Sequence, residues 1–283
     1  MRSKLGLASI LAVALMGPGP PESRALLVIC SPGSPGTTAE AQPTLDAFAS
    51  VVEQGPGWPA PSLAVVYYAP AEAGRYRIAA EKAASALVSP PFYYEFAAAL
   101  SLQAQLEAVP LSGVGEDYSL VARKGLIASA ASLSGWEITG SAGFSQGFVR
   151  QAVLGDWGQL PDDVRITYSA LPLTALRKSA SGEHVAVLLN REQTGALGSL
   201  PFAADLEILH KSSNFPAGLF CLIPNRLPAA RAESLLRALK ALSQTDSGRE
   251  ALKSIRISRF SALEKSRLKS VTRPGSSQEN PKP

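Results

Sequence analysis

Residues 26–38, LLVICSPGSPGTT, constrain the fold more than any other stretch of this chain. The apolar run Leu26 to Cys30 predicts a buried strand. It stops at Ser31-Pro32-Gly33-Ser34-Pro35-Gly36, which proline and glycine hold out of regular structure. Thr37 or Thr38 then suits the N-cap of a helix reaching about Val52, with Glu40 near its first turn. A strand, a small-residue loop and a helix N-terminus in succession make a geometry that holds anions. Free backbone N–H groups and the positive end of the helix dipole both face the loop.

The pattern returns three times. Ala86-Leu87-Val88 runs into Ser89-Pro90-Pro91 and the apolar stretch Phe92 to Leu102. Trp136 to Thr139 runs into Gly140-Ser141-Ala142-Gly143 and Phe144 to Leu154. Val185 to Leu189 runs into Asn190-Arg191-Glu192. Ligands of open α/β sheets sit beyond the carboxyl ends of the strands, so these ends predict the lining of a crevice.

Further elements follow from periodicity. SLAVVYY at 62–68 and Val164 to Tyr168 read as strands, as do Leu106 to Val109, Asp117 to Ala122, Leu206 to His210 and Leu219 to Ile223. Ala71 to Ala84, Pro172 to Ser181 and Pro228 to Leu242 read as helices, the last with Leu235, Leu236, Leu239 and Leu242 on one stripe. Thr245 or Asp246 caps another, to about Ser254. Two βα series, broken near Gly113 to Lys124 and near Leu197 to Ser212, predict an α/β chain of two lobes joined by two crossings. The expected division is a discontinuous first lobe, residues 26–115 and 201–268, and a second lobe, 116–200. Residues 269–283 form an expected disordered tail. One continuous sheet is the alternative.

Composition narrows the class. At 283 residues, 46% hydrophobic and 18% charged, the chain can bury a core. The net charge of +4 lacks the concentrated basic stripe of a nucleic-acid binder. Its basic residues gather from Lys253 to Arg273, where a solvated helix face and tail are expected. Arg2 and Lys4 precede an apolar stretch, Leu5 to Met16, then Gly17-Pro18-Gly19-Pro20-Pro21 and Ser23-Arg24-Ala25. This is the layout of an export signal over residues 1–25, cleaved after Ala25, and implies a periplasmic or otherwise extracytoplasmic chain. No later stretch is long and apolar enough for a transmembrane helix.

Cys30 and Cys221 both lie in apolar strands; export permits a disulfide, and buried free thiols are the preferred reading. With only His184 and His210 a multi-histidine metal site is excluded, and no cofactor is expected. An enzyme needs a nucleophile with its base. Gly140-Ser141-Ala142-Gly143 is not a Gly-x-Ser-x-Gly elbow, and neither histidine has triad context, so no catalysis is expected. Arg191 is able to meet an anion bidentately or to serve as an exposed cap. Trp58, Trp136 and Trp157 are read as packing residues.

Several stretches resemble the substrate-binding proteins of ABC importers, of the phosphate, phosphite and phosphonate type. Asp117 to Gly125 followed by Leu133-Ser134-Gly135-Trp136-Glu137-Ile138 is similar to the family's hinge-crossing strand and entry into its second lobe. Ala180 to Val187, Phe220 to Pro228 and Thr245 to Ile257 resemble its later strand approach, its strand-to-helix return and its closing helix. The resemblance implies a two-lobed periplasmic-binding-protein-like fold that closes by a hinge on a small oxyanion, phosphate or phosphonate-like. It implies a monomer that hands this solute to an ABC permease in the membrane. The implied ligand-binding residues are Ser31, Ser34, Thr37, Ser89, Tyr93, Ser141, Ser145 and Asn190. Phe144 and Gln146 depart from the family's hydroxyl-rich run, as does the missing acidic residue near Val185, which loosens the tie to phosphonate itself. A sensory or docking module for a non-transport receptor is the alternative, and a serine hydrolase a remote one.

Overall fold

The computed structural model describes residues 24–55, 62–80 and 83–272. The stretch expected as an export signal, apart from Arg24 and Ala25, lies outside the described residues, as do Trp58 and the residues beyond Thr272.

The first sheet takes β1 (Ala25–Cys30), β2 (Leu63–Tyr68), β3 (Ser85–Val88) and β4 (Gln103–Pro110). Between them lie the helices α1 (Thr38–Glu53), α2 (Ala71–Ala80) and α3 (Pro90–Phe96). The chain then crosses to a second sheet of β5 (Tyr118–Arg123), β6 (Glu137–Gly140), β7 (Arg165–Tyr168), β8 (Val185–Asn190) and β9 (Leu206–Lys211). Its helices are a π-helical turn at Phe148–Val153, α4 (Pro172–Ala180) and α5 (Arg191–Ala196). A second crossing returns to β10 (Gly218–Leu222), α6 (Ala229–Ala241), α7 (Asp246–Ser254), β11 (Ile257–Ala262) and α8 (Lys265–Ser270).

Strand order is β11-β4-β10-β3-β1-β2 in one sheet and β7-β6-β8-β5-β9 in the other. β1 lies parallel between β2 and β3, and β6 parallel between β7 and β8. β1 is apolar on both sides because helices cover both faces. Alternation sends Val28 and Cys30 toward one core, and Leu27 toward another under α1, α6 and α7. The two crossings meet as a short bridge in which the backbone N–H of Glu116 donates to Phe215 O at 2.8 Å and that of Phe215 donates back at 2.7 Å.

One hydrophobic core runs through both lobes. Phe92, Tyr93 and Tyr94 of α3 pack with Tyr118, Phe148 and Phe215 in the same cluster. Tyr94 and Phe148 meet edge-to-face at 5.6 Å, and Phe96 stacks on Phe144 at 6.4 Å. Polar contacts reinforce the seam: Tyr94 donates to Gln151 Oε1 at 2.6 Å and Ser145 to Glu95 Oε2 at 2.8 Å.

Three expectations need correction. Residues 206–211 do not belong to the first lobe, because β9 hydrogen-bonds antiparallel to β5 in the second sheet. The second crossing therefore falls at 212–217, and the second lobe runs past 200. The strand itself is legible locally, but its pairing partner lies some 85 residues away and is chosen by burial. The basic C-terminal segment is not wholly solvated. Arg267 holds the buried Glu107 bidentately, through Nε at 2.8 Å and Nη2 at 2.5 Å, and Nη2 also donates to Phe215 O. The tail is ordered through Thr272, since Val271 is fully buried in the shared core. At the other end of the described chain, the N–H of Ala25, the first residue of β1, donates to Ser62 O at 2.7 Å. Among the described residues no helix is long and apolar enough to cross a membrane.

Candidate functional site

A cleft of about 730 Å³ lies where the carboxyl ends of β1, β3 and β4 face the start of the second lobe. From the first lobe come Ser31, Ser34 and Ser89; from the second come Ser141, Asn190 and Arg191. The prolines explain the first loop. Pro32 and Pro35 stop the chain from extending β1, and Gly33 and Gly36 take φ of 87° and 95°, which return it toward α1. Ser31 and Ser34 share a hydroxyl hydrogen bond of 2.9 Å. Ser89 lines the cleft, and its buried Oγ has no hydrogen-bond partner among the described residues.

Five of the eight expected site residues line this cleft: Ser31, Ser34, Ser89, Ser141 and Asn190. Asn190 does so with its side chain already engaged, accepting from Gln193 N at 2.9 Å as the cap of α5. The other three lie elsewhere. Tyr93 is packed into the shared core. Ser145 is fully buried and donates to Glu95. Thr37 caps α1 in a reciprocal box with Glu40.

That box matters to the chemistry. Glu40 accepts from Thr37 N at 2.8 Å and from Thr37 Oγ1 at 3.0 Å, and these bonds hold its carboxyl below the usual range. The N-terminus of α1, expected as an anion cradle, is thus occupied by the chain's own carboxylate. The N-terminus of α3 is weakened differently, because Pro90 and Pro91 carry no N–H to offer. The cleft also holds side-chain donors.

Two arginines supply them. Arg191 pairs with the buried Asp117 through Nη2 and donates from Nε to Gly115 O at 2.8 Å, while Lys211 stands 3.7 Å from the other oxygen of Asp117. Arg256, in the turn between α7 and β11 with φ of 63°, reaches across the cleft to Glu192 Oε1 at 3.1 Å. Each arginine keeps N–H groups outside these contacts. Glu116 also lines the cleft; its Oε1 accepts from the backbone N–H of Arg191 and Asp117 at 2.9 and 3.1 Å. Burial raises its pKa against the opposing pull of those bonds. Tyr67, at the end of β2, donates to Ser34 O at 3.2 Å, and its pKa is raised by burial and then by Cys30 and Tyr168. Tyr67, Glu116 and Arg256 were missed from sequence. Tyr67 carried a signal, standing at the carboxyl end of the strand beside β1. Glu116 and Arg256 carried none, lying in a crossing and in a turn before an unread strand.

The remaining chemistry-bearing residues lie outside the cleft or are inert. His184 stacks on Trp136 at 4.9 Å; His210 stacks on Trp157 and approaches Asp156 Oδ1 at 3.1 Å. Neither lines the cleft. Cys30 and Cys221 are buried and unpaired, and burial pushes the Cys30 thiol up to about 12 and that of Cys221 higher still. Among the described residues no three His, Cys, Asp or Glu side chains group as metal ligands.

No family profile and no curated protein matches this sequence. Solved structures do. The protein XAC2383 from Xanthomonas citri bound to chloride aligns with a TM-score of 0.66 at 12% identity, over 87% of this chain and 94% of that one. A binding-protein component of an ABC phosphonate transporter from Pseudomonas aeruginosa aligns at 0.60 and 15% identity, over 87% and 84%. PhnD1 from Prochlorococcus marinus in complex with methylphosphonate aligns at 0.59 and 13% identity, over 87% and 95%. At these identities the likeness concerns the fold: two α/β lobes, each a sheet flanked by helices, in the arrangement of the periplasmic solute-binding proteins.

Proposed function

We propose that this chain is an exported solute-binding protein that takes a small anionic solute into the cleft between its lobes and presents it to an ABC permease. The observation that carries the reading is the convergence of Ser31, Ser34 and Ser89 with Ser141 and Arg191 at the facing ends of the two lobes. Hydroxyls and guanidinium donors are the groups that hold tetrahedral or carboxylate oxygens. Ser89 Oγ has no other hydrogen-bond partner among the described residues, and Arg191 and Arg256 keep donors to spare. The fold shared with binding components of ABC transporters supports transport as the use of such a cleft. Export rests on the signal-like residues 1–25, and cleft serines without a neighbouring histidine favour binding over hydrolysis.

Thermal unfolding against phosphate, methylphosphonate, sulfate and small carboxylates tests the reading. A ligand at about a hundred times its dissociation constant adds roughly 2.7 kcal/mol, an upward shift on the order of 5 °C for a chain of this size. The shift is expected to vanish in the Ser34→Ala/Ser141→Ala double variant. A shift that survives in that variant moves the solute out of this cleft, and no shift with any anion overturns the anionic reading.

A further inference from the structure

The chain passes between its lobes twice, at 111–117 and at 212–217. The lobes turn about one another only if residues in both crossings change φ and ψ. The crossings are bound to each other. Besides the bridge between Glu116 and Phe215, Ser212 N donates to Tyr118 O and Tyr118 N donates to Ser212 Oγ, each at 2.9 Å.

A third segment grips this ribbon. Arg267 of α8 reaches it with the same guanidinium that holds Glu107 of β4. Its Nη1 donates to Asn214 Oδ1 at 3.2 Å and its Nη2 to Phe215 O at 3.1 Å. One rigid, planar group thus ties the sheet of the first lobe to the second crossing. The first crossing lies against it. A Cβ on Gly115 would stand 2.2 Å from Phe215 O and 2.7 Å from Arg267 Nη2. From the opposite lobe, Arg191 donates to the Gly115 carbonyl and pairs with Asp117. α8 is itself anchored, because Val271 is buried in the core that both lobes share and Leu268 packs against that core. Leu111 to Val114 of the first crossing are exposed, but a hinge free in one crossing does not turn while the other is held.

We infer that α8 is a clamp on the hinge: through Arg267 it holds the crossings, so that the lobes keep the angle of this structure with no solute between them. The cleft is then preset, and a solute is bound without the ordering cost of lobe closure. This concerns the solute-free protein and does not rest on the anionic reading.

The test is double electron–electron resonance on the extensively dialysed chain. Spin labels at Glu250→Cys on α7 and Gly198→Cys beyond α5 report the distance between the lobes. Both positions are exposed, and a Cβ at Gly198 meets nothing within 4 Å. Cys30 and Cys221 are buried and stay unlabelled. One narrow distance distribution is expected. Arg267→Lys keeps the charge but not the fork and is expected to add longer distances, and Arg267→Ala more of them. Asn214→Ala removes only the Nη1 contact and serves if neither of those variants folds. Thr37→Ala, a cap lost in the first lobe away from the crossings, is expected to leave the distribution unchanged. A broad or two-distance distribution in the parent overturns the clamp. So does a distribution that stays narrow in every folded variant of Arg267 and Asn214. Equal broadening in Thr37→Ala also overturns it, because the change would then report general loosening.

Discussion

Gly33 and Ser141 touch across the two lobes: a Cβ built on Gly33 would stand 2.3 Å from Ser141 Cβ. The first loop of one lobe thus rests directly on the first turn beyond β6 in the other. Only glycine allows that approach, and Gly33 also sits at φ of 87°.

Gly33→Ala is accordingly expected to destabilise the chain by about 2 kcal/mol or more, from left-handed backbone strain together with the clash. Adding Ser141→Gly removes the opposing Cβ and is expected to recover the steric part alone. Urea unfolding of both single variants and the double variant measures the coupling. Purely additive values would show that the loops do not rest on each other in solution.

Arg267→Ala leaves Glu107 buried without its bidentate partner, and about 3 kcal/mol should be lost. Arg75→Ala breaks the exposed pair with Glu72 and should cost less than about 0.5 kcal/mol. Equal losses in denaturant titrations would return Arg267 to the solvated face read from sequence.

Thr37→Ala removes the cap of α1 and should cost about 1 kcal/mol. Because Thr37 does not line the cleft, affinity for any anion found by thermal shift should stay within about twofold of the parent, a difference of roughly 0.4 kcal/mol. A large loss of affinity without loss of stability would put Thr37 back in the site.

Glu116 has a pKa raised in the fold by burial. For an acid raised in this sense, the favourable contribution is present below its unfolded pKa. It is lost as pH rises through the folded value. Glu116→Gln keeps an oxygen for the N–H groups of Arg191 and Asp117 and removes the charge. The variant's stability relative to the parent should therefore improve from pH 4 to pH 7. A difference that is flat or reversed over that range would mean the carboxylate is stabilised by Arg191 rather than penalised by burial.

Local chemistry made much of this chain legible. The run Leu26 to Cys30, the Pro/Gly loop after it and Thr37 with Glu40 each act within a few residues, so β1, its turn and the capped start of α1 could be read directly. Thr245 before α7 and the leucine stripe of α6 were legible for the same reason. β11 was not: Ile257-Ser258-Arg259-Phe260 alternates weakly, and only pairing with β4 makes it a strand.

By itself, then, the sequence determined where strands end in hydroxyl-bearing loops and that two βα series are present, because periodicity and capping are short-range effects. Tertiary structure alone decided which loops share a cleft. β9 joined the second sheet because burial selects a strand's partner without regard to separation along the chain. Tyr93 and Ser145 were drawn into the seam between the lobes, where rings and paired polar groups exclude water, while Arg256 was carried to the cleft mouth by a turn with no local signature. Which hydroxyls meet a solute follows from what the opposite lobe covers, and that contact exists only once both sheets have formed.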